Sequence, residues 1–180
     1  MFRDLSVFLV CVFVVQCLAD PDCSEPPKKK DFMGCCKKPE ALSEIITKCS
    51  EKYPFEHRRP NICYGECVFN ETGLAVDGVI QRDKISSVIG EFYKDMPDLI
   101  PVATEAIEKC GEIIRAKMEK GKERKPQGDD QCHHVPSMYA GCFFAQTTIN
   151  CPDSAWQDTD DCNRAREFMK SCPMPHRPKE

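Results

Sequence analysis

Past its first nineteen residues the chain has no apolar run long enough to span a bilayer, which excludes a helical membrane anchor in that part. It has no excess of positive charge. Lys+Arg number 25 against 29 Asp+Glu, a net of −4, and an acidic balance argues against general nucleic-acid binding. It lacks a Cys-x2-Cys pair, a Gly-x-Ser-x-Gly elbow, a His-Glu-x-x-His helix and a phosphate loop, so the familiar zinc, hydrolase and nucleotide signatures are missing. Small secreted phospholipases place a His-Asp pair shortly after a double cysteine. Here Cys35-Cys36 is followed by Lys37-Lys38-Pro39-Glu40, and the dyad is absent. His133 and His134 beside Cys132 make the most metal-like cluster, but adjacent histidines on a helix cannot easily share one ion. Internal repeats and convincing strands are absent too. These gaps together read as a protein that is not an enzyme and has neither cofactor nor metal.

What the chain does have is cysteine, 14 in 180 residues. Two of them, Cys11 and Cys17, fall in a leader. Arg3, the apolar run Val7 to Val15 and the small-residue end Cys17-Leu18-Ala19 predict a secretory signal peptide over residues 1–19, cleaved before Asp20. The twelve remaining cysteines are an even set in an exported chain, which predicts up to six disulfides rather than zinc ligation. Residues 20–180 read as a single domain with an N-terminal arm, 20–38, and a C-terminal extension, 152–180. A domain of that length builds its own core, so dense cross-linking suggests a feature that weakens it. An apolar hole of about 300 Å³ would cost about 7 kcal/mol. That is comparable with a domain's whole stability, about 5–15 kcal/mol. Bridges of about 2–4 kcal/mol each could offset it. Protease resistance alone would explain the bridges equally well.

The arm, with Pro21, Pro26, Pro27 and three consecutive lysines, reads as extended; the rest reads as helical. Pro39 suits the first turn of a helix over Ala41 to Tyr53. Asn61 can cap a second from Ile62 to Asn70, ended by Gly73. A third is predicted over Val76 to Asp95, because Ile85, Val88, Ile89, Phe92 and Met96 recur at helical steps before Pro97. Asp98 can cap a fourth. Its stripe runs from Leu99 through Ala106, Ile107, Cys110 and Ile114 to Met118. The lysines between Lys117 and Asp130 alternate with Glu119, Glu123 and Asp129, so they read as a solvated linker rather than a polyanion site. A fifth helix runs from Cys132 to Ile149 and a short one from Asp160 to Cys172; the tail after it reads as loose. The predicted class is all-α, a disulfide-laced bundle of about six helices.

Cys63 and Cys67 leave the same helix face, and Cys35 and Cys36 are adjacent, so neither pair bonds internally without strain. Each of the four should reach a separate partner. The ordered set Cys63-x3-Cys67, then Cys110 after 42 residues, then Cys142-x8-Cys151, resembles the insect odorant-binding proteins. Cys132-x9-Cys142, Pro152 directly after Cys151, and Cys162 beyond it resemble the Plus-C subgroup. The resemblance implies pairing of Cys63 with Cys142 and of Cys110 with Cys151. It leaves Cys67 to Cys49 or Cys36, with Cys49 favoured as the end of a helix. Cys23, Cys35, Cys36, Cys132, Cys162 and Cys172 then form three further bridges of open pairing.

The resemblance further implies a secreted carrier of sensory lymph. It would reversibly bind small hydrophobic odorant- or pheromone-like molecules and deliver them to chemoreceptors, and it raises self-association as a homodimer. Ile85, Ile89, Phe92 and Met96 of the third helix would wall the pocket. Ile107, Ile114 and Met118 would come from the fourth, and Tyr139 and Phe143 from the fifth. Asn70-Glu71-Thr72 is a glycosylation sequon. Protonation of His133 and His134, at the positive end of the fifth helix, would loosen that turn and release ligand in acid; His57 and His176 are the other candidates. The competing reading is a secreted disulfide-rich protein-interaction module with a filled core and no small-molecule cavity.

Overall fold

A computed structural model describes residues 21–24, 27, 33–54, 61–120 and 132–172. The predicted leader, His57, His176, the lysine-rich stretch 121–131 and the tail after residue 172 lie outside the described residues. Six helices follow in order: α1 Glu40–Lys52, α2 Ile62–Glu71, α3 Ile85–Phe92, α4 Leu99–Lys120, α5 His134–Ile149 and α6 Asp160–Ser171. The class is all-α.

The helix limits follow from local chemistry. The Asn61 side chain accepts the Cys63 N–H at 2.8 Å and starts α2, and Thr159 accepts the Cys162 N–H at 3.3 Å and starts α6. Gly73 leaves α2 at φ +74°, a conformation that side-chain-bearing residues rarely adopt. Pro101 and Pro136 both fall in the first turn of their helices, where the missing N–H has no intrahelical partner to lose. The Asp98 carboxylate, just before α4, accepts Ser154 Oγ at 2.9 Å and ties the start of that helix to the extension.

The third helix is much shorter than periodicity predicts. Val76 belongs to a two-strand hairpin, β1 Ala75–Val76 and β2 Val79–Ile80, with Ala75 opposite Ile80 and Val76 opposite Val79. The loop is Asp77-Gly78, at φ 48° and 76°. Two left-handed residues in a two-residue loop make the turn whose twist matches the strands, and Asp-Gly is its favoured sequence. A single turn of 3₁₀ helix, Arg82–Lys84, then leads into α3.

Helix α5 is central. It packs against α2, α4, α6 and β2, which explains a sequence apolar on several sides rather than along one stripe. Gly65 of α2 permits the closest approach, since a Cβ there would lie 2.4 Å from Ser137 Cα. Phe69 and Tyr139 continue the contact, ring centroids 5.9 Å apart.

All twelve cysteines after the leader are paired, and two pairings differ from those the resemblance implies. Cys63 bonds Cys132, Cys110 bonds Cys142, and Cys151 bonds Cys36. Cys63–Cys142 and Cys110–Cys151 are therefore corrected. The reason lies in how α2 meets α5. Cys63 precedes Gly65 and Cys132 precedes Ser137, so both lie at the same end of the contact. Cys142 is five residues past Ser137, about 7.5 Å further along α5, outside the reach of a disulfide from Cys63. It instead faces the middle of α4. Cys49–Cys67 holds α1 to α2, as favoured.

The remaining bridges tie the arm to the extension, Cys23–Cys172 and Cys35–Cys162, and to the residue directly before it, Cys36–Cys151. Backbone bonds reinforce them: Lys37 N to Ala155 O at 2.9 Å and Gln157 N to Cys35 O at 2.8 Å. Arg166 lies 3.4 Å over the Trp156 ring and donates to Cys151 O at 2.9 Å, so the extension clamps itself around that bridge.

Candidate binding cavity

A cavity of about 680 Å³ lies inside the bundle, within the range that holds small organic ligands. Five segments wall it. Helix α1 supplies Leu42 and Ile46; α2 supplies Tyr64, Gly65, Val68 and Phe69. Val88, Ile89 and Phe92 come from α3, Leu99, Ala103 and Ile107 from α4, and Ala140, Phe143 and Phe144 from α5. The arm closes the remaining side with Pro27, Met33, Cys36, Lys37 and Lys38. Lys37 and Gly141 are the exposed members and mark the side nearest solvent.

Four of the nine predicted wall residues reach this space: Ile89, Phe92, Ile107 and Phe143. The other five do not. Ile85 and Met96 are half-buried against the surrounding core, and Ile114 is buried about two turns beyond the last α4 residue of the cavity, Ile107. Tyr139 turns toward Phe69 and α4. Met118 is 41% exposed, because α4 runs past the bundle after Ile114 and its last residues face solvent. The larger omission is the wall made by the arm, α1 and α2. The spacing of Leu42, Ile46, Val68 and Phe69 marks inward helix faces, but nothing in it distinguishes a face on a void from a face on packed core.

The threonine hydroxyls at the wall spend their protons within the helices. Thr147 and Thr148 donate their hydroxyl protons to carbonyls of Phe143 and Phe144, and Thr72 donates to Phe69 O. Tyr93, 6% exposed, has no hydrogen-bond partner among the described residues, and burial pushes its phenol up to about 12. Lys38 donates to Met33 O and lies 5.9 Å from the Phe144 ring. Burial lowers the pKa of its ammonium. Among the described lining residues there is no carboxylate.

His133 is outside the cavity. Its Nδ1 is 2.7 Å from Glu66 Oε1, and its backbone N–H donates to Glu66 Oε2 at 2.8 Å. Glu66 thus holds both the His133 ring and its backbone at the start of α5. No group of three or more His, Cys, Asp or Glu residues with metal-site geometry occurs among the described residues, and no described helix is long and apolar enough to cross a membrane.

Residues 39–168 match the AgamOBP47-like family model. The chain is 26% identical over 171 residues to Odorant-binding protein 47 of Anopheles gambiae, a match covering 86% of this chain and 75% of that protein.

Proposed function

The chain belongs to the AgamOBP47-like family of insect odorant-binding proteins, and from that premise we propose that it is a secreted carrier that takes up one small hydrophobic molecule in the 680 Å³ cavity and releases it at a chemoreceptor. The family supports an odorant-binding role. The observation that carries the reading to this chain is the hollow itself, bounded by Leu, Ile, Val and Phe side chains from five helices and closed by the arm. Transfer of ligand surface from water to such a wall contributes about 25 cal/mol per Å². The wall is held in place by bridges, so little of that is lost to ordering the protein. The hollow favours this reading over an interaction module with a filled core.

The test is saturable binding of an apolar fluorescent probe to the oxidised protein, and its displacement by odorants. Ala103 lines the cavity and is small. Ala103→Trp is expected to occupy part of the space, weaken probe binding and leave the fold intact. Absence of saturable binding by the unmodified protein would overturn the reading. Asn70 is exposed on the last turn of α2, and we propose it as a glycan acceptor, checked by the mass of the secreted protein before and after glycosidase.

A further inference from the structure

The cavity is chemically one-sided. Its described lining includes two cations, Lys37 and Lys38, and no carboxylate. The threonine hydroxyls direct their protons to helix carbonyls, and the Tyr93 hydroxyl is left without a partner among the described residues. Lys38 is the group best placed to act. Its ammonium is half-buried, holds one recorded hydrogen bond, to Met33 O, and borders the Phe144 ring within the same wall. Three N–H donors leave two directions for another acceptor. A half-buried cation with no anionic partner among the described residues is an incomplete arrangement, and the ligand is the component that can complete it.

Resting on the carrier reading of this cavity, we propose that its preferred ligands are apolar chains ending in a carboxylate, with the carboxylate on the Lys38 ammonium and the chain among Phe92, Phe143, Ile107 and Val68. Burial already depresses the Lys38 pKa, and desolvation is the cause; a bound carboxylate reverses that penalty. A neutral head of similar size, an alcohol or a methyl ester, accepts a hydrogen bond but brings no charge. Charge-assisted bonds are roughly twice as strong as neutral ones, so the head group decides affinity within one chain length.

The experiment displaces N-phenyl-1-naphthylamine from the full oxidised protein with dodecanoate, dodecanol and methyl dodecanoate. Dodecanoate is expected to compete about tenfold better than either neutral compound. In Lys38→Met the three should compete equally, through loss of dodecanoate affinity alone. Lys38→Arg should restore the preference. Unchanged competition by dodecanol shows that Lys38→Met is folded, and Lys38→Gln gives a second reading if it is not. Equal competition by all three compounds in the unmodified protein would overturn the proposal and leave the carrier reading standing. Equal weakening of all three by Lys38→Met, with Lys38→Arg no better, would also overturn it. Failure of the probe itself to bind would overturn both.

Discussion

Two single side chains set the character of the cavity wall. At Gly65 a hydrogen is what allows α2 to touch α5, because any Cβ would meet Ser137 backbone atoms at 2.4 to 3.0 Å. Backbone cannot move aside as a flexible side chain can, so Gly65→Ala is expected to lower stability by about 1–3 kcal/mol, read as a fall in the urea midpoint. At Tyr93 the phenol sits where its charged form is unfavourable, with a folded-state pKa near 12 against an ordinary value near 10. The folded state therefore holds that proton more tightly than the unfolded chain. The resulting stability is complete below pH 10 and is lost as pH rises toward 12. Burial raises Tyr64 as well, so an alkaline absorbance titration should show a late-ionising component that is smaller by one tyrosine in Tyr93→Phe. Since the hydroxyl leaves no partner behind among the described residues, Tyr93→Phe should change neutral-pH stability by less than about 1 kcal/mol. Neither residue was legible as a site. Gly65 reads as an ordinary helix-weakening glycine, and Tyr93 lies just past α3, one position from the predicted Phe92.

Elements were legible where one local signal ruled. Asn61 before α2, Asp160-Asp161 in the first turn of α6 and the apolar stripe of α4 each predict a helix that forms within a residue or two of its limits. The stretch from Val76 to Lys84 shows the opposite case. Its valines and isoleucines suit a helix face and a strand equally, and the Asp77-Gly78 turn decides between them. Position 78 is constrained twice. Its φ of +76° disfavours a side chain, and a Cβ would lie 2.2 Å from the His133 ring, which Glu66 holds in place. Gly78→Ala should therefore cost more than a turn glycine usually does, and the cost should shrink in a Gly78→Ala/His133→Ala double variant. Thermal melts of the four proteins measure that coupling; additive shifts would mean that the ring moves freely out of the way. The pairing of Cys63 with Cys132 belongs to the same corner. It could not be read from spacing, because it depends on which ends of α2 and α5 meet.

Across the whole molecule the six bridges divide into two sets with separate consequences. Cys49–Cys67, Cys63–Cys132 and Cys110–Cys142 join the helices to one another, Cys132 standing just before α5, and hold the bundle. The other three close chain separations of 115 to 149 residues and fasten the arm across the cavity. Cys36 is the member of that set that lines the cavity, next to Lys37 and Lys38. With Cys35–Cys162 intact, opening Cys36–Cys151 frees only a short loop, so the loss of unfolded-state constraint is modest, about 3 kcal/mol at most. The local consequence is larger. The wall strand Cys35 to Lys38 loses its anchor, and the backbone bonds of Lys37 to Ala155 and of Gln157 to Cys35 lose their support. Cys36→Ser/Cys151→Ser is thus expected to weaken apolar-probe binding at least tenfold while the bundle remains folded, with faster amide exchange at Lys37 and Gln157. The same change at Cys110 and Cys142, buried between α4 and α5, should do the reverse, lowering the melting temperature sharply with exchange at Lys37 little altered. Trp156, the single tryptophan, reports the difference directly, since its backbone pairs with Cys36 and that pairing loses its support when the bond opens. If both double variants lose probe affinity and stability in the same proportion, the arm is not a separate wall and the cavity is held by the helices alone.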